Sequence, residues 1–245
     1  MPTWSAAVPA DSVIPPVSPR DRPWAAGLRA ARANVVPGLI VQALMLATLL
    51  AYYFYPPTRD WLDGLAQIKA RWGYGYSAVN AIIAGALIPE LLRICVFQQF
   101  RVHRPNFSNL LFTVPFWCAM GIVVDYFYRC QAVWFGGEVT FAVVLKKVLV
   151  DQFLYNPFFA APATAWLYDW KNRGYRFCGT GVFFTAGYYR DVIVPTLFAT
   201  WGVWFPIVTI LYCLPPLLQI PLFGLALSMW VMLYTWMSEQ RARRD

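Results

Sequence analysis

Hydrophobic residues in this chain come in long runs, with most of the polar and charged residues gathered between them. Six apolar runs stand out: Val36–Tyr55, Ala78–Phe100, Phe107–Tyr128, Phe141–Leu167, Val192–Cys213 and Leu217–Trp236. Each approaches the roughly 20 residues that a helix needs to cross a bilayer. The pattern predicts an all-α fold, a polytopic transmembrane helical bundle of about five to six membrane segments. Only Leu214-Pro215-Pro216 separates the last two runs, and no helix continues unbroken through two prolines. They form either a tight helical hairpin or one crossing plus an interfacial helix. No period of roughly 20 to 50 residues recurs, which excludes solenoid architectures.

The fourth run is the least regular. Lys146–Trp170 reads KKVLVDQFLYNPFFAAPATAWLYDW, with a polar pair at Asp151 and Gln152 and two prolines, Pro157 and Pro162. A membrane bundle can accommodate such a stretch, because neighbouring helices satisfy the freed backbone groups and the polar side chains turn inward.

Composition agrees with the pattern. Of 245 residues, 59% are hydrophobic and 13% charged, about half the charge of an ordinary soluble domain. Aromatics reach 18%, with twelve tryptophans, and Trp and Tyr collect where helices pass the headgroup layer. The net charge of +8 does not imply nucleic acid, because the basic residues lie between apolar runs rather than on one polar domain. Cys95, Cys118, Cys130, Cys178 and Cys213 are scattered and contain no CxxC pair, so neither a disulfide framework nor a zinc site is suggested.

The chain divides into a Pro-rich polar tail (1–33), an extra N-terminal membrane helix and loop (34–73), the main bundle (74–238) and a basic C-terminal tail (239–245). The first tail carries six prolines and Arg20, Arg22, Arg29 and Arg32. A segment of that kind does not order itself, so a partner protein is expected to hold it. Within it, Trp24–Ala33 reads as a short Arg-bearing helix, somewhat like an organelle-targeting signal. With six crossings, 13 of the 20 Lys and Arg fall on one side, and Arg59, Lys69, Arg71 and Arg129 on the other. Both termini are therefore expected on the cytoplasmic side or its organellar equivalent, the matrix.

Little in the sequence points to catalysis. His103 is the single histidine and lies between Arg101 and Arg104 with no orienting acid nearby, which does not make a Ser-His-Asp triad or a metal site. No phosphate-cradling glycine motif occurs. Gly73-Tyr74-Gly75 lacks the context of a potassium filter and fits a glycine-aromatic turn entering the second run. Asn106-Phe107-Ser108 is formally a glycosylation sequon, but it lies on the Arg-rich side, where the acceptor enzymes do not act. No catalytic, cofactor-binding or metal-ligating set is legible, and a non-enzymatic role is expected.

The intramembrane charges carry more information. Glu90 and Arg93 lie at i,i+3, while Asp125 and Arg129, and Lys147 and Asp151, lie at i,i+4, spacings that bring side chains together on a helix. A lone charge in hydrocarbon costs about 3 kcal/mol on insertion scales, and pairing lowers that cost. Two roles are open for these residues and Gln152: structural ion pairs, or the lining of a polar pathway. Glu90 is the deepest acid on this reading.

Lys146–Phe159 (KKVLVDQFLYNPFF) resembles the KK-x-L-x-DQ-x4-P signature of a family of small organellar membrane proteins. That family contains the peroxisomal twenty-two-kilodalton membrane protein and its mitochondrial inner-membrane relative. Asp125–Arg129 followed by Phe135-Gly136-Gly137 is similar to the family's W-Y-x-x-L-D…F-P-G passage. Trp201-Gly202-Val203-Trp204-Phe205-Pro206 is similar to its N-W-x-V-W-x-P, Pro216 falls on its V-P, and Trp230 with Tyr234 approximates its ending. Pro157, Trp201, Trp204, Pro206 and Pro216 are then structural motif positions. The chain departs where the family carries Gln, Asn and Arg, with Val208, Leu211 and Ile220 in their place. These replacements are expected to leave a drier, more lipid- or protein-facing surface. The resemblance implies a channel-like protein of a mitochondrial or peroxisomal membrane.

Two functions follow as expectations. One is a structural accessory subunit of a larger mitochondrial inner-membrane assembly, such as a respiratory one. Its contacts would be membrane lipids and other membrane-protein subunits, met through the tail and aromatic helix faces. The other is a small-solute channel using Glu90, Asp125, Asp151 and Gln152.

Overall fold

A computed structural model describes residues 23–242. Residues 1–22 and 243–245, and with them most of the Pro-rich tail and the end of the basic one, lie outside the described residues. Those described are all-α, without strands. Seven helices follow one another: α1 (Pro23–Phe54), α2 (Pro56–Trp72), α3 (Tyr74–Phe97), α4 (Arg104–Phe135), α5 (141–172), α6 (Ala186–Tyr212) and α7 (Pro216–Ala242). Two differences from the sequence expectation concern the start of the chain. The Arg-bearing stretch Trp24–Ala33 is the first part of α1 rather than a separate helix, and the expected loop after the first run is the 17-residue helix α2.

Four stretches are long and apolar enough to cross a membrane: Asn34–Phe54, Tyr74–Phe97, Arg104–Phe135 and Ala186–Tyr212. At about 1.5 Å per residue even the shortest matches the roughly 30 Å hydrocarbon layer. Pro216–Met232 is a shorter apolar helix. α5 is helical throughout but is not among the four spans; Lys146, Lys147, Asp151 and Gln152 lower its hydropathy. The chain is a membrane-associated helical protein.

Prolines explain the local irregularities. Three of the four π-helical segments adjoin or contain one: Ile83–Leu87 before Pro89, Asp151–Ala160 around Pro157, and Tyr189–Ile193 before Pro195. A proline ring clashes with the carbonyl one turn back, and widening that turn by a residue relieves the clash without ending the helix.

The described chain forms two compact units, one from residues up to 38 with 149–205, the other from 39–148 with 206 onward. In the first, Phe183, Tyr188, Ile193 and Leu197 make a buried cluster flanked by Trp166, Trp170 and Trp201. The start of α1 joins it through Asn34, whose amide donates to the Ala199 carbonyl at 3.3 Å.

The second unit is built on the antiparallel pair α3–α4. Ser77 meets Asp125, Ala81 meets Gly121 and Gly85 meets Trp117, so four residues forward on one helix correspond to four back on the other. Glycine is required in this seam. A Cβ on Gly121 would stand 2.5 Å from both the Ser77 carbonyl oxygen and the Ala81 Cβ, and one on Gly85 would enter the Trp117 ring. Small residues that let backbones approach are a common way of associating helices in membranes. A separate apolar core gathers Tyr128, Val144, Val148, Val208, Tyr212 and Ile220. Two of the three apolar replacements, Val208 and Ile220, lie in this core, and Leu211 is fully buried as well. They fill the interior of the unit and do not make the lipid- or protein-facing surface expected from sequence.

Candidate functional site

The chemistry-bearing side chains of the second unit form two clusters, one at each end of the α3–α4 pair. At the end where α3 begins, Asp125 of α4 is 3% exposed. One carboxylate oxygen, Oδ2, accepts from the Lys69 ammonium and from the Ser77 hydroxyl at 2.7 Å. The other, Oδ1, accepts from Arg129 Nε at 3.1 Å. Lys69 belongs to α2 and is 2% exposed. It donates also to Ser77 Oγ at 2.6 Å and to the Gly73 carbonyl at 2.9 Å, so its three N–H groups are all used. Burial holds this ammonium below its ordinary pKa, and the hydrogen bond and charge of Asp125 offset only part of that. Gly73, at φ +55°, makes the turn from α2 into α3 and places Lys69 beside Ser77. Its neighbour Tyr74 lies under the Arg129 guanidinium, 4.6 Å from the ring centroid.

At the other end, Glu90 of α3 is 2% exposed. Its Oε1 accepts from the Asn106 amide at 2.6 Å, and its Oε2 from Arg93 at 2.9 Å and from the Asn109 amide. Asn106 is itself oriented by the His103 backbone N–H, which donates to its Oδ1 at 2.7 Å as α4 begins. An Asn106 amide committed to Glu90 is incompatible with a glycan in this fold. Glu90 therefore sits against the first two turns of α4. The two clusters are about 20 Å apart along α3 at 1.5 Å per residue, and the seam between them is made by Ala81, Ala84, Gly85, Phe116, Trp117 and Gly121.

Of the residues singled out from sequence, Glu90 meets Arg93 and Asp125 meets Arg129 at helical spacing. Lys147 and Asp151 stand on either side of the boundary between the units. The Lys147 ammonium lies 5.9 Å from the Tyr212 ring centroid, and that tyrosine's hydroxyl accepts from Gln131 at 3.0 Å. Asp151 accepts from the Gln152 amide at 2.9 Å, and the Oε1 of buried Gln152 has no hydrogen-bond partner among the described residues. The Gln152 carbonyl accepts from Trp201 Nε1 at 3.3 Å, and Trp201 packs on Phe153 with centroids 5.5 Å apart. The Pro157 carbonyl accepts from the Tyr189 hydroxyl at 3.2 Å. Trp204 and Pro206 lie within α6, and Pro216 opens α7.

Four residues escaped the sequence argument: Lys69, Ser77, Asn106 and Asn109. Lys69 carried a signal, since it falls with Leu62 and Ala66 on one stripe of a helix, where a solvated lysine has no place. Chemically, both carboxylates already accept three donors each. A carboxylate whose oxygens already accept three charge-assisted or amide donors is a poor base and a poor ligand for a passing cation, but a strong tie between helices. Among the described residues no group of His, Cys, Asp and Glu is arranged to hold a metal ion. Comparison with known protein families, with characterised proteins and with solved structures returns no match.

Proposed function

We propose that this chain is a non-catalytic integral membrane protein serving as a structural subunit of a larger assembly, in the mitochondrial inner membrane or, alternatively, the peroxisomal one. The observation that carries the reading is the closure of Glu90 and Asp125, each held by three donors from its own unit. A conduction pathway needs polar groups that can exchange partners with a moving solute, and these two acids are already held by three internal donors each. The family resemblance belongs to the same proposal. It gains support from the DQ-x4-P and W-x-V-W elements lying against each other through Trp201, Gln152 and Phe153.

The tail rich in proline and arginine is the segment assigned to a partner subunit, and both termini are placed on the matrix or cytoplasmic side. The test is a native gel of the tagged protein extracted from its own membrane in mild detergent. Migration with a large complex is expected, and removal of residues 1–33 should release the chain. Migration as a monomer, or unchanged association after the deletion, counts against the reading.

One observation favours the small-solute channel as a second reading. Gln152, 2% exposed, keeps a carbonyl oxygen beside Asp151 that has no partner among the described residues, in a π-helical segment, and such segments are frequent at functional sites. Solute flux through liposomes that is lost on Gln152→Leu would support it.

A further inference from the structure

Helix α2 has three faces. At about 100° per residue, Leu62, Ala66 and Lys69 share one stripe, and all three are buried, in a helix packed on α7. Asp60, Asp63, Gln67 and Arg71 share a second. Trp61, Leu65, Ile68 and Trp72 fall within a third sector of roughly 60°. Three of these four residues are left uncovered by the second unit, Trp61 being 67%, Ile68 50% and Trp72 63% exposed, while Leu65 is half-buried. A water-facing stripe of two tryptophans and an isoleucine is unfavourable.

The topology says what lies against it. α1 ends a candidate span at Phe54 and α3 begins another at Tyr74, with single residues, Tyr55 and Gly73, as the links to α2. Both ends of α2 are thus tied to the same edge of the membrane. α2 is also pinned there: Arg59 donates to the Tyr52 and Tyr53 carbonyls at 3.1 and 2.9 Å, and the Tyr52 hydroxyl to Asp63 at 3.4 Å. With five charged residues in 17 it is no span, and it cannot swing clear of the bilayer surface.

We propose that α2 is an interfacial helix whose Trp61–Ile68–Trp72 stripe is seated in the headgroup–acyl boundary of the lipid bilayer. Tryptophan is the residue favoured at that depth, and the exposed aromatics at both junctions, Phe54, Tyr55 and Tyr74, lie at the same level. The lipid it fits is defined by charge. Arg59 and Arg71 balance Asp60 and Asp63, so the outer faces carry no net charge and zwitterionic lipid suffices. Docking driven by apolar and aromatic burial does not depend on salt, unlike that of a basic amphipathic helix on anionic lipid.

The test is photocrosslinking of the full chain in phosphatidylcholine nanodiscs. Trp61→p-benzoylphenylalanine, Ile68→p-benzoylphenylalanine and Trp72→p-benzoylphenylalanine should give lipid adducts by mass spectrometry in several-fold greater yield than the same change at Asp60 or Gln67. Yields should be unchanged by added phosphatidylglycerol or by salt. Equal yields on both faces would overturn the proposal. So would adducts to another protein chain, or absence of lipid adducts where Leu46 of α1 gives them. In the unmodified chain in nanodiscs, hydroxyl-radical footprinting should leave Trp61 and Trp72 protected. Oxidation of both at the rate found after denaturation would overturn it equally.

Discussion

Replacing Lys69 by methionine isolates the tie between α2 and the α3–α4 pair. Methionine keeps much of the lysine's length and apolar stem but leaves Asp125, 3% exposed, with Ser77 and the half-exposed Arg129 as its remaining partners. Breaking a buried ion pair from one side costs about 3–5 kcal/mol, and Asp125 then stays buried with only the half-exposed Arg129 as counter-charge. At roughly 2–4 °C per kcal/mol for a chain of this size, Lys69→Met should lower Tm by about 6–20 °C. Removing both charges should restore most of the loss. An apolar pair of similar volume is often neutral relative to a buried ion pair, and Arg129, 48% exposed, can turn to solvent. The assay is a double-mutant cycle over Lys69→Met, Asp125→Leu and the double variant, followed by thermal unfolding in mild detergent. Strong coupling is expected, with the double variant more stable than Lys69→Met alone. Additive losses, or single losses below about 1 kcal/mol as for solvated surface pairs, would refute the closed-clamp argument and return these groups to a wet environment.

Further outcomes follow from the same geometry. Glu90→Ala leaves the Asn106 and Asn109 amides and Arg93 without their shared acceptor and should cost about 3–5 kcal/mol in the same unfolding assay. Glu90→Gln, which keeps one acceptor oxygen, should cost clearly less. Gly121→Ala drives a methyl group against the Ser77 carbonyl and Ala81 and should destabilise by about 1–3 kcal/mol; a neutral or stabilising result would mean that the α3–α4 seam is looser than described. Tyr188→Phe removes a 2.8 Å hydrogen bond to Asp169 and should cost about 1.5–3 kcal/mol, as for other hydrogen bonds to charged groups, read as a lower Tm.

Much of the architecture was legible in the sequence because membrane spanning is written in the length of apolar runs. Arg104–Phe135 encloses the run Phe107–Tyr128, and Tyr74–Phe97 overlaps most of Ala78–Phe100. α2 was not, for a physical reason. Its apolar residues are split between a stripe that packs on the protein and an exposed Trp61–Ile68–Trp72 stripe, so no run forms and charged residues interleave. The i,i+3 and i,i+4 partners of Glu90 and Asp125 could be found because they share a helix with their acid. Lys69 is 56 residues from Asp125, and Asn106 and Asn109 are 16 and 19 from Glu90. Those approaches depend on the α3–α4 register and on the turn at Gly73, which a single sequence does not encode locally. Val208, Leu211 and Ile220 were recognised as apolar, but which way they faced depended on helix packing.

Flux through proteoliposomes tests the central claim most directly. The purified full chain is reconstituted, and release of small solutes of graded size is compared with protein-free vesicles. Glu90 and Asp125 closed by their own helices predict no protein-dependent release, and none in Glu90→Gln either. Solute-selective release by the parent chain, abolished in a Glu90→Gln variant of unchanged Tm, would contradict the account and show that these acids line a path and do not seal one.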